Sequence, residues 1–193
     1  MVRFPIGISA RHLHLSQEDL EKLFGPGYTL NPQKPLSQPG QFSCLETVAL
    51  YGPKGSFPKI RILGPVRRRT QVEISRSDAF LLGLDPPIRD SGALDGSPGA
   101  RLTGPAGEVD LPQGVIVAQR HLHLHTDEAA QLGLADKDLI SVRTEGLRAV
   151  IFENVLVRVS PDFAMDLHLD TDEANAAGVR NGDQAVLVAR QER

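Results

Sequence analysis

The chain has 193 residues, 40% of them hydrophobic and 23% charged, which argues against a disordered protein and allows one large or two small domains with a buried core. Its formal net charge of −3 excludes a general electrostatic attraction to phosphate polymers or anionic lipid, so we expect neither nucleic acid nor a membrane as a partner. Cys44 is the single cysteine, which excludes an intrachain disulfide and a cysteine-based zinc cluster and indicates a reducing, cytoplasmic location.

The predicted elements are mostly short strands separated by frequent glycine and proline. Apolar runs rich in β-branched residues, as β-barrels have, fall at residues 47–52, 59–64, 114–119, 139–143 and 185–190. Short helices with serine or threonine at or near their start and glycine after their end are predicted at 17–24, 77–82, 127–132 and 172–177. Two proline-rich stretches, 25–43 and 83–107, are expected to be long ordered loops or lids, with a solvated linker as the alternative.

One strand-turn-helix unit occurs four times in the chain. Aligned on the glycine that follows each helix, residues 121–133 match 166–178, and residues 72–83 match 12–25 with a one-residue slip. This alignment places three histidines and one glutamate at equivalent strand ends, namely His14, Glu73, His123 and His168. A Gly-turn-Asp-strand pattern after the later units resembles double-psi-type barrels, which is an analogy at the level of fold.

The sequence RHLHL occurs twice. Because successive strand side chains point to opposite faces, the two histidines of each copy would share one face and the leucines the other. Imidazoles two residues apart can converge on one metal ion, although two solvated histidines on a half-exposed strand would explain a single copy more simply. The second copy and the two ligand-type residues at equivalent strand ends favour metal binding. The candidate ligands are His12, His14, Glu73, His121, His123 and His168.

Six candidate ligands exceed the four of one closed tetrahedral site, so we predict two metal ions with open coordination positions, an arrangement typical of catalysis. His125 continues the second histidine series and could be a further ligand. Its equivalents in other copies, Ser16 and Asp170, precede or cap a helix, so we predict a capping or surface role for it. Asp166 is equivalent to His121 and could ligate a metal or orient a ligand.

Arginines precede Glu73 by a few residues, at positions 67, 68 and 69. The guanidinium group suits recognition of phosphate oxygens, so an anion site beside the metals is predicted, with three solvated loop charges as the alternative. Further basic side chains that could meet other phosphates of a larger ligand are Lys54, Lys59 and Arg61.

Cys44 is interpreted as a core or surface residue, because nothing around it indicates an activating base.

With these motifs in this order, the chain resembles the PduL-type phosphotransacylases, the phosphate propanoyltransferases. The similarity covers nearly the whole chain, in the segments 5–25, 34–42, 63–83, 88–92, 114–124, 152–162 and 167–178. The family transfers an acyl group between coenzyme A and phosphate and gives acyl phosphate and free coenzyme A. Many relatives inside bacterial microcompartments carry an N-terminal amphipathic extension, whereas the first strand here begins so early that a free cytoplasmic enzyme is expected.

The resemblance implies a mainly β fold of two β-barrels with exchanged strands, each capped by short α-helices, with the metal site at the barrel interface. The first barrel would comprise residues 1–10 plus 119–193, and the second residues 11–118 with the irregular loop 25–43. By position, one zinc-type ion would be held by His12, His14 and Glu73, and the other by His121, His123 and His168. Arg67 would bind phosphate. Coenzyme A contacts would fall on Ile8, Ser9, Ala10, Lys54, Arg61 and Asn175.

The predicted function is a reversible, metal-dependent phosphate acyltransferase acting on propanoyl-CoA or acetyl-CoA, as a homodimer or higher homo-oligomer. Phosphate held by Arg67 and a metal would attack the thioester carbonyl directly, with the oxyanion and the departing thiolate stabilised by metal or backbone donors. A metal-dependent hydrolase needs the same ligands and is one alternative. A non-catalytic metal-binding module with closed, fully protein-ligated ions is the other.

Overall fold

The computed structural model describes residues 2–191. Its helices are short, and each ends at a glycine, as the sequence predicts; they are α1 (Gln17–Phe24), α2 (Arg76–Leu82), α3 (Thr126–Leu132) and α4 (Thr171–Ala177). The N-cap side chain of each accepts a hydrogen bond from a backbone N–H of the first turn, and these caps are Ser16, Ser75, His125 and Asp170. The four helix predictions are confirmed to within one residue.

The rest of the described chain is mainly strand. The first strands are β1 (Arg3–Ser9), β2 (His12–His14), β3 (Pro32–Pro35), β4 (Phe42–Tyr51), β5 (Ser56–Gly64), β6 (Gln71–Glu73), β7 (Ile88–Arg89) and β8 (Ala100–Thr103). The later strands are β9 (Glu108–Leu111), β10 (Val115–Ala118), β11 (His121–Leu124), β12 (Leu139–Thr144), β13 (Ile151–Val159), β14 (Asp166–Asp170) and β15 (Gln184–Arg190). None of the helices within residues 2–191 has the length and hydropathy that a membrane crossing requires.

One compact unit contains the chain up to Ser9, Ser37–Pro39, and the chain from Gln119 onward. Six of its strands form a closed barrel in the order β1-β14-β11-β13-β12-β15, which β1 closes by pairing with β15. The N-terminal strand therefore belongs to a barrel otherwise built from the last third of the chain. The core of this unit consists of side chains such as Phe4, Ile6, Leu122, Leu124, Val142, Val157 and Leu167.

The other unit contains Ala10–Leu36 and Gly40–Ala118. Its strands form a half-barrel in the order β7-β10-β6-β2-β5-β4-β8-β9, with β3 paired to β4. Its core includes Leu13, Leu15, Val48, Leu50, Ile60, Ile62 and Val72. The prediction of a mainly β fold with two barrel-type units and short helices is confirmed, with one unit closed and the other a half-barrel.

The two proline-rich stretches contain more regular structure than expected. Strand β3 lies within residues 25–43, and β7 and β8 lie within residues 83–107. Proline is tolerated in β3 because this strand has a single partner, β4, and its other edge donates no ladder hydrogen bonds. The loop before β3 is ordered by the buried Glu46 carboxylate, which accepts hydrogen bonds from Tyr28 Oη at 2.9 Å and from the Asn31 side chain at 2.6 Å.

Candidate functional site

The first candidate metal group lies in the half-barrel, where β2 runs between β5 and β6. His12 stands directly opposite Glu73 in the antiparallel pair β2 and β6, and His14 follows on the same face of β2. The ligand-type atoms of these three side chains all lie within 4.8 Å of one another. His12 Nε2 is 3.6 Å from Glu73 Oε2, and all three residues are buried. The group could therefore hold one metal ion.

The second candidate group lies in the closed barrel and repeats this arrangement. His121 stands directly opposite His168 in the antiparallel pair β11 and β14, and His123 follows on the same face. The three rings have centroids 4.6 to 5.0 Å apart, and their ligand atoms again lie within 4.8 Å of one another. The alternation that the sequence predicts is present here, because Leu122 and Leu124 on the opposite face are fully buried in the barrel core.

Backbone carbonyls fix the tautomer of three of these histidines. The Nδ1 atoms of His12, His14 and His121 lie 2.8 to 3.1 Å from the carbonyl oxygens of Ala10, Leu63 and Gln119, respectively. A carbonyl oxygen can only accept, so Nδ1 carries the proton and the lone pair lies on Nε2. Hydrogen bonding of the non-ligating nitrogen in this way is what metal-binding histidines usually show.

The protonation states of the histidines also suit a metal. Burial, with Arg67 and His12 nearby, lowers the pKa of His14 to about 3. Burial and the neighbouring imidazoles of His121 and His168 lower the pKa of His123 to about 2. Both rings are therefore neutral near pH 7, which is the form that binds metal.

Two further observations test whether the closed-barrel group fits a cation. His121 Nε2 and His123 Nε2 lie 3.0 Å apart, close to the roughly 3.3 Å expected between two nitrogens bound to one zinc ion at about 2.0 to 2.1 Å. His123 Nδ1 is buried without a hydrogen-bond partner among the described residues. The short Nε2 separation suits two ligands of one divalent cation, and the unpartnered Nδ1 is a second nitrogen through which His123 could bind an ion instead.

Asp166 lies against the closed-barrel group. The sequence predicts that this residue either ligates a metal or orients a ligand, and its contact fits the second role. Its Oδ2 is 2.9 Å from His168 Nε2, and the carboxylate is buried. A Cβ on residue 7 would lie 2.7 Å from this oxygen, so the glycine at position 7 leaves the space that the carboxylate occupies. The contact makes Asp166 an orienting partner of His168.

Arg67 is connected to the half-barrel group through Ser91. Arg67 Nη1 donates to Ser91 Oγ at 3.1 Å, and Ser91 Oγ donates to Glu73 Oε1 at 3.1 Å. The Gln71 amide donates to the same Glu73 oxygen and, at 2.8 Å, to Ser91 Oγ. Arg68 and Arg69 are exposed, and Arg69 forms a surface ion pair with Asp95. Of the three adjacent arginines, the structure thus brings Arg67 to the site.

Sequence reasoning missed the roles of Ser91 and Gln71. Gln71 is buried in β6, directly opposite His14, and its amide oxygen accepts from Gly92 N at 2.7 Å. The signal was available in part, because Ser91 belongs to the IRDSG segment 88–92, one of the stretches that carry the family resemblance. Nothing in the sequence alone pairs that segment with β6.

The residues expected to contact coenzyme A are divided equally between the two units. Ile8, Ser9 and Asn175 belong to the closed-barrel unit, and Ala10, Lys54 and Arg61 to the half-barrel unit. Arg61 Nη1 donates to the carbonyl oxygens of residues 44 and 45 at 2.8 and 2.9 Å. Lys54 and Asn175 are exposed. Their part in coenzyme A binding stays a prediction.

His125 and Cys44 lie where the sequence interpretation placed them. His125 is the N-cap of α3, where its Nδ1 accepts from Asp127 N at 3.1 Å and its own N–H donates to Glu128 at 2.9 Å. This capping box confirms a structural role. Cys44 is fully buried in the half-barrel core, and burial raises the pKa of its thiol to about 11.

Comparison with known proteins shows the family of this chain. The family model described as "Phosphate propanoyltransferase" matches residues 5–180. A phosphate propanoyltransferase of Thermotoga maritima is 54% identical over 184 residues, which cover 95% of this chain and 88% of that protein. The phosphate propanoyltransferase of Salmonella typhimurium is 52% identical over 178 residues, which cover 92% of this chain and 84% of the relative. The chain therefore belongs to the phosphate propanoyltransferase family.

Proposed function

We propose that this chain is a phosphate acyltransferase that converts a short-chain acyl-CoA, propanoyl-CoA or acetyl-CoA, and phosphate reversibly into acyl phosphate and free coenzyme A. The observation that carries the proposal is the pair of buried ligand groups, one of which is connected through Ser91 to the guanidinium of Arg67. A cation site connected to a guanidinium group offers a place for phosphate and stabilisation of the negative charge that develops when phosphate attacks a thioester.

The proposed metals are two divalent ions, one per ligand group, held by His12, His14 and Glu73 and by His121, His123 and His168. Zinc is the proposed metal, because three imidazoles, or two imidazoles and one carboxylate, are donor sets that zinc commonly takes. When bound, such ions supply Lewis-acid stabilisation of the negative charge that develops on oxygen and sulfur. Three protein ligands per ion leave coordination positions open.

Arg67 is the proposed phosphate-binding residue. Its guanidinium offers paired N–H donors to two phosphate oxygens, and its contact with Ser91 limits where those donors point. Phosphate bound by Arg67 would lie near Glu73, to which Arg67 is connected through Ser91, and would attack the thioester through one of its oxygens. Attack by that oxygen forms the new C–O bond, the C–S bond breaks, and the electron pair leaves with the coenzyme A thiolate.

Direct attack by phosphate needs no protein nucleophile. Cys44 is unsuited to that role because it is buried and its raised pKa keeps the thiol protonated near pH 7. The mechanism accordingly requires both substrates to be bound together, which predicts ternary-complex kinetics rather than the ping-pong pattern of an acyl-enzyme.

The assay that tests this proposal follows coenzyme A release from propanoyl-CoA with and without phosphate, and traps acyl phosphate as its hydroxamate. We expect release to depend on phosphate and to yield one acyl phosphate per coenzyme A. Release without phosphate, with free propanoate as product, would instead identify a hydrolase. No release from propanoyl-CoA or acetyl-CoA by zinc-loaded protein would contradict any acyl-transfer role.

A further inference from the structure

An arginine precedes the first histidine of each candidate metal group. In the half-barrel unit, Arg11 reaches the first turn of α2 and binds the buried carboxylate of Asp78 through two hydrogen bonds. Arg11 Nε lies 2.9 Å from Asp78 Oδ2, and Arg11 Nη2 lies 2.6 Å from Asp78 Oδ1. The Asp78 side chain is 3% exposed. The residue next to ligand His12 is thus fixed to the helix that follows ligand Glu73.

The closed-barrel unit contains the same connection. Arg120, next to His121, donates from Nη1 to Glu173 Oε1 at 2.7 Å, and from Nε to the carbonyl oxygen of Glu153 at 2.7 Å. Glu173 lies in the first turn of α4, the helix that follows ligand His168. Each arginine therefore connects the strand that carries the first histidine of its group to the helix that follows the third ligand.

The two connections also share their spacing along the chain. In the half-barrel unit, the N-cap Ser75 comes two residues after the candidate ligand Glu73, and the arginine partner Asp78 comes five residues after it. His168, Asp170 and Glu173 repeat this order at the same separations. In both, the N-cap side chain accepts from the backbone N–H of the arginine partner, at 3.3 Å for Asp78 and 2.8 Å for Glu173.

An aromatic ring lies beneath each guanidinium. Arg11 Cζ is 4.3 Å from the ring centroid of Phe57 on β5, and Arg120 Cζ is 5.5 Å from that of Phe152 on β13. These strands are equivalent, because β5 pairs in parallel with β2 as β13 does with β11. The ring and the carboxylate together restrict the guanidinium to one position.

We propose that Arg11 and Arg120 are positioning residues for the metals. Each sets the place of the third ligand, Glu73 or His168, relative to the first histidine opposite it, and thereby sets the affinity of that site. The inference rests on the proposed metal sites. The physical reason is that β6 is short: it pairs with β2 over three residues and with β10 over two. The capped helix that the arginine holds adds a further constraint on where the Glu73 side chain lies.

The test uses double variants in which both members of an ion pair are replaced, so that no buried charge is left unpaired. Arg11→Met with Asp78→Asn removes the first connection, and Arg120→Met with Glu173→Gln removes the second while the glutamine can still cap α4. Matched controls remove arginines from exposed ion pairs in the same units. These are Arg76→Met, whose partner Asp85 is 96% exposed, and Arg3→Met, whose partner is Glu145.

Zinc is titrated into each metal-free, full-length variant against a chromophoric chelator, and imidazole ¹⁵N signals report which histidines bind it. We expect each double variant to weaken one of the two zinc affinities by about 10- to 100-fold and leave the other unchanged. In the Arg11 variant, the signals of His12 and His14 should keep their metal-free positions at a zinc concentration that shifts those of His121 and His123.

The melting temperature of each metal-free variant separates positioning from general stability. A variant that melts like the unaltered chain and has lost one affinity supports the inference. Two unchanged affinities in both double variants, or equal weakening of both sites by one variant, would overturn it while leaving the proposed function intact. If the unaltered chain itself binds no zinc at either group, the proposed function fails together with this inference.

Discussion

His121 and His168 stand directly opposite each other on the antiparallel strands β11 and β14, with their ring centroids 5.0 Å apart. His123 completes this group from the same face of β11, with its Nε2 3.0 Å from that of His121. His12 and Glu73 have the same relationship on β2 and β6. Cross-strand pairing of ligands thus creates both candidate metal sites.

Replacement of His123 by alanine removes one of three ligands from the closed-barrel group. We expect the variant to retain one tightly bound ion instead of two and to lose transferase activity by at least about 100-fold, because two remaining imidazoles bind an ion weakly. Elemental analysis and the phosphate-dependent assay measure both quantities.

The control is His125→Ala, in the same strand-turn-helix unit. Loss of the α3 cap should lower the free energy of unfolding by about 1 kcal/mol and leave two ions bound. Loss of an ion in this variant, or two ions and full turnover in His123→Ala, would contradict the assignment.

Arg67→Lys tests phosphate binding. A lysine retains the charge without the planar pair of donors, so we expect a raised KM for phosphate and a lower kcat, with a combined loss on the order of 3 kcal/mol or roughly a hundredfold in rate. Metal content should not change. Arg68→Lys and Arg69→Lys are matched controls from the exposed neighbours, and an inactive control beside a nearly unaltered Arg67→Lys would show that the wrong arginine had been chosen.

Gly7→Ala tests how closely the closed-barrel group is packed. The new Cβ would lie 2.7 Å from Asp166 Oδ2 and 3.0 Å from His168 Cδ2, so the carboxylate and the ring must move. We expect weaker binding of one zinc ion in a chelator competition. Gly107→Ala creates an equally close contact, 2.7 Å from the Lys22 carbonyl oxygen, but its Cβ would meet no atom of a candidate ligand within 4 Å. We expect it to lower stability without lowering zinc affinity. Equal zinc affinities in the two variants would refute the packing argument.

Cys44→Ala tests whether a thiol takes part in the chemistry. With its pKa raised to about 11 by burial, the native thiol stays protonated from pH 6 to 9, and we expect no reaction with a thiol reagent until the chain unfolds. The variant should retain the transfer rate to within about twofold while losing about 1 to 2 kcal/mol of stability from the cavity. Rapid labelling of the folded chain, or an inactive variant, would point to a covalent mechanism.

The candidate ligands were predictable from the sequence because two-residue alternation and the internal repeat are local signals. His12 and His14 follow from the first signal, whereas Glu73 and His168 needed the second. The contacts of Ser91 with Arg67 and Glu73 were not predictable, since they join segments 18 to 24 residues apart through a loop. The pairing of Arg11 with Asp78 spans 67 residues and depends on how α2 lies against the half-barrel.

The sequence indicated barrel-type units, but it did not indicate whether the strands of each unit form a closed barrel. Short β-branched runs and capped helices indicated barrel-type units, and one unit is closed by β1 pairing with β14 and β15. Whether the strands of the other unit also form a closed barrel depends on strand twist and stagger. These are properties of the whole sheet, and local sequence patterns do not determine them. The half-barrel therefore emerges from the structure alone.

Removal and return of the metal shows whether acyl transfer by this chain depends on bound ions. Purified protein is analysed for bound ions, stripped with a chelator, assayed for phosphate-dependent formation of propanoyl phosphate, and assayed again after two equivalents of zinc are added. We expect two ions per chain, a loss of transferase activity of at least about 100-fold on stripping, and recovery of that activity with zinc. Full transferase activity in protein stripped of every divalent ion would contradict it.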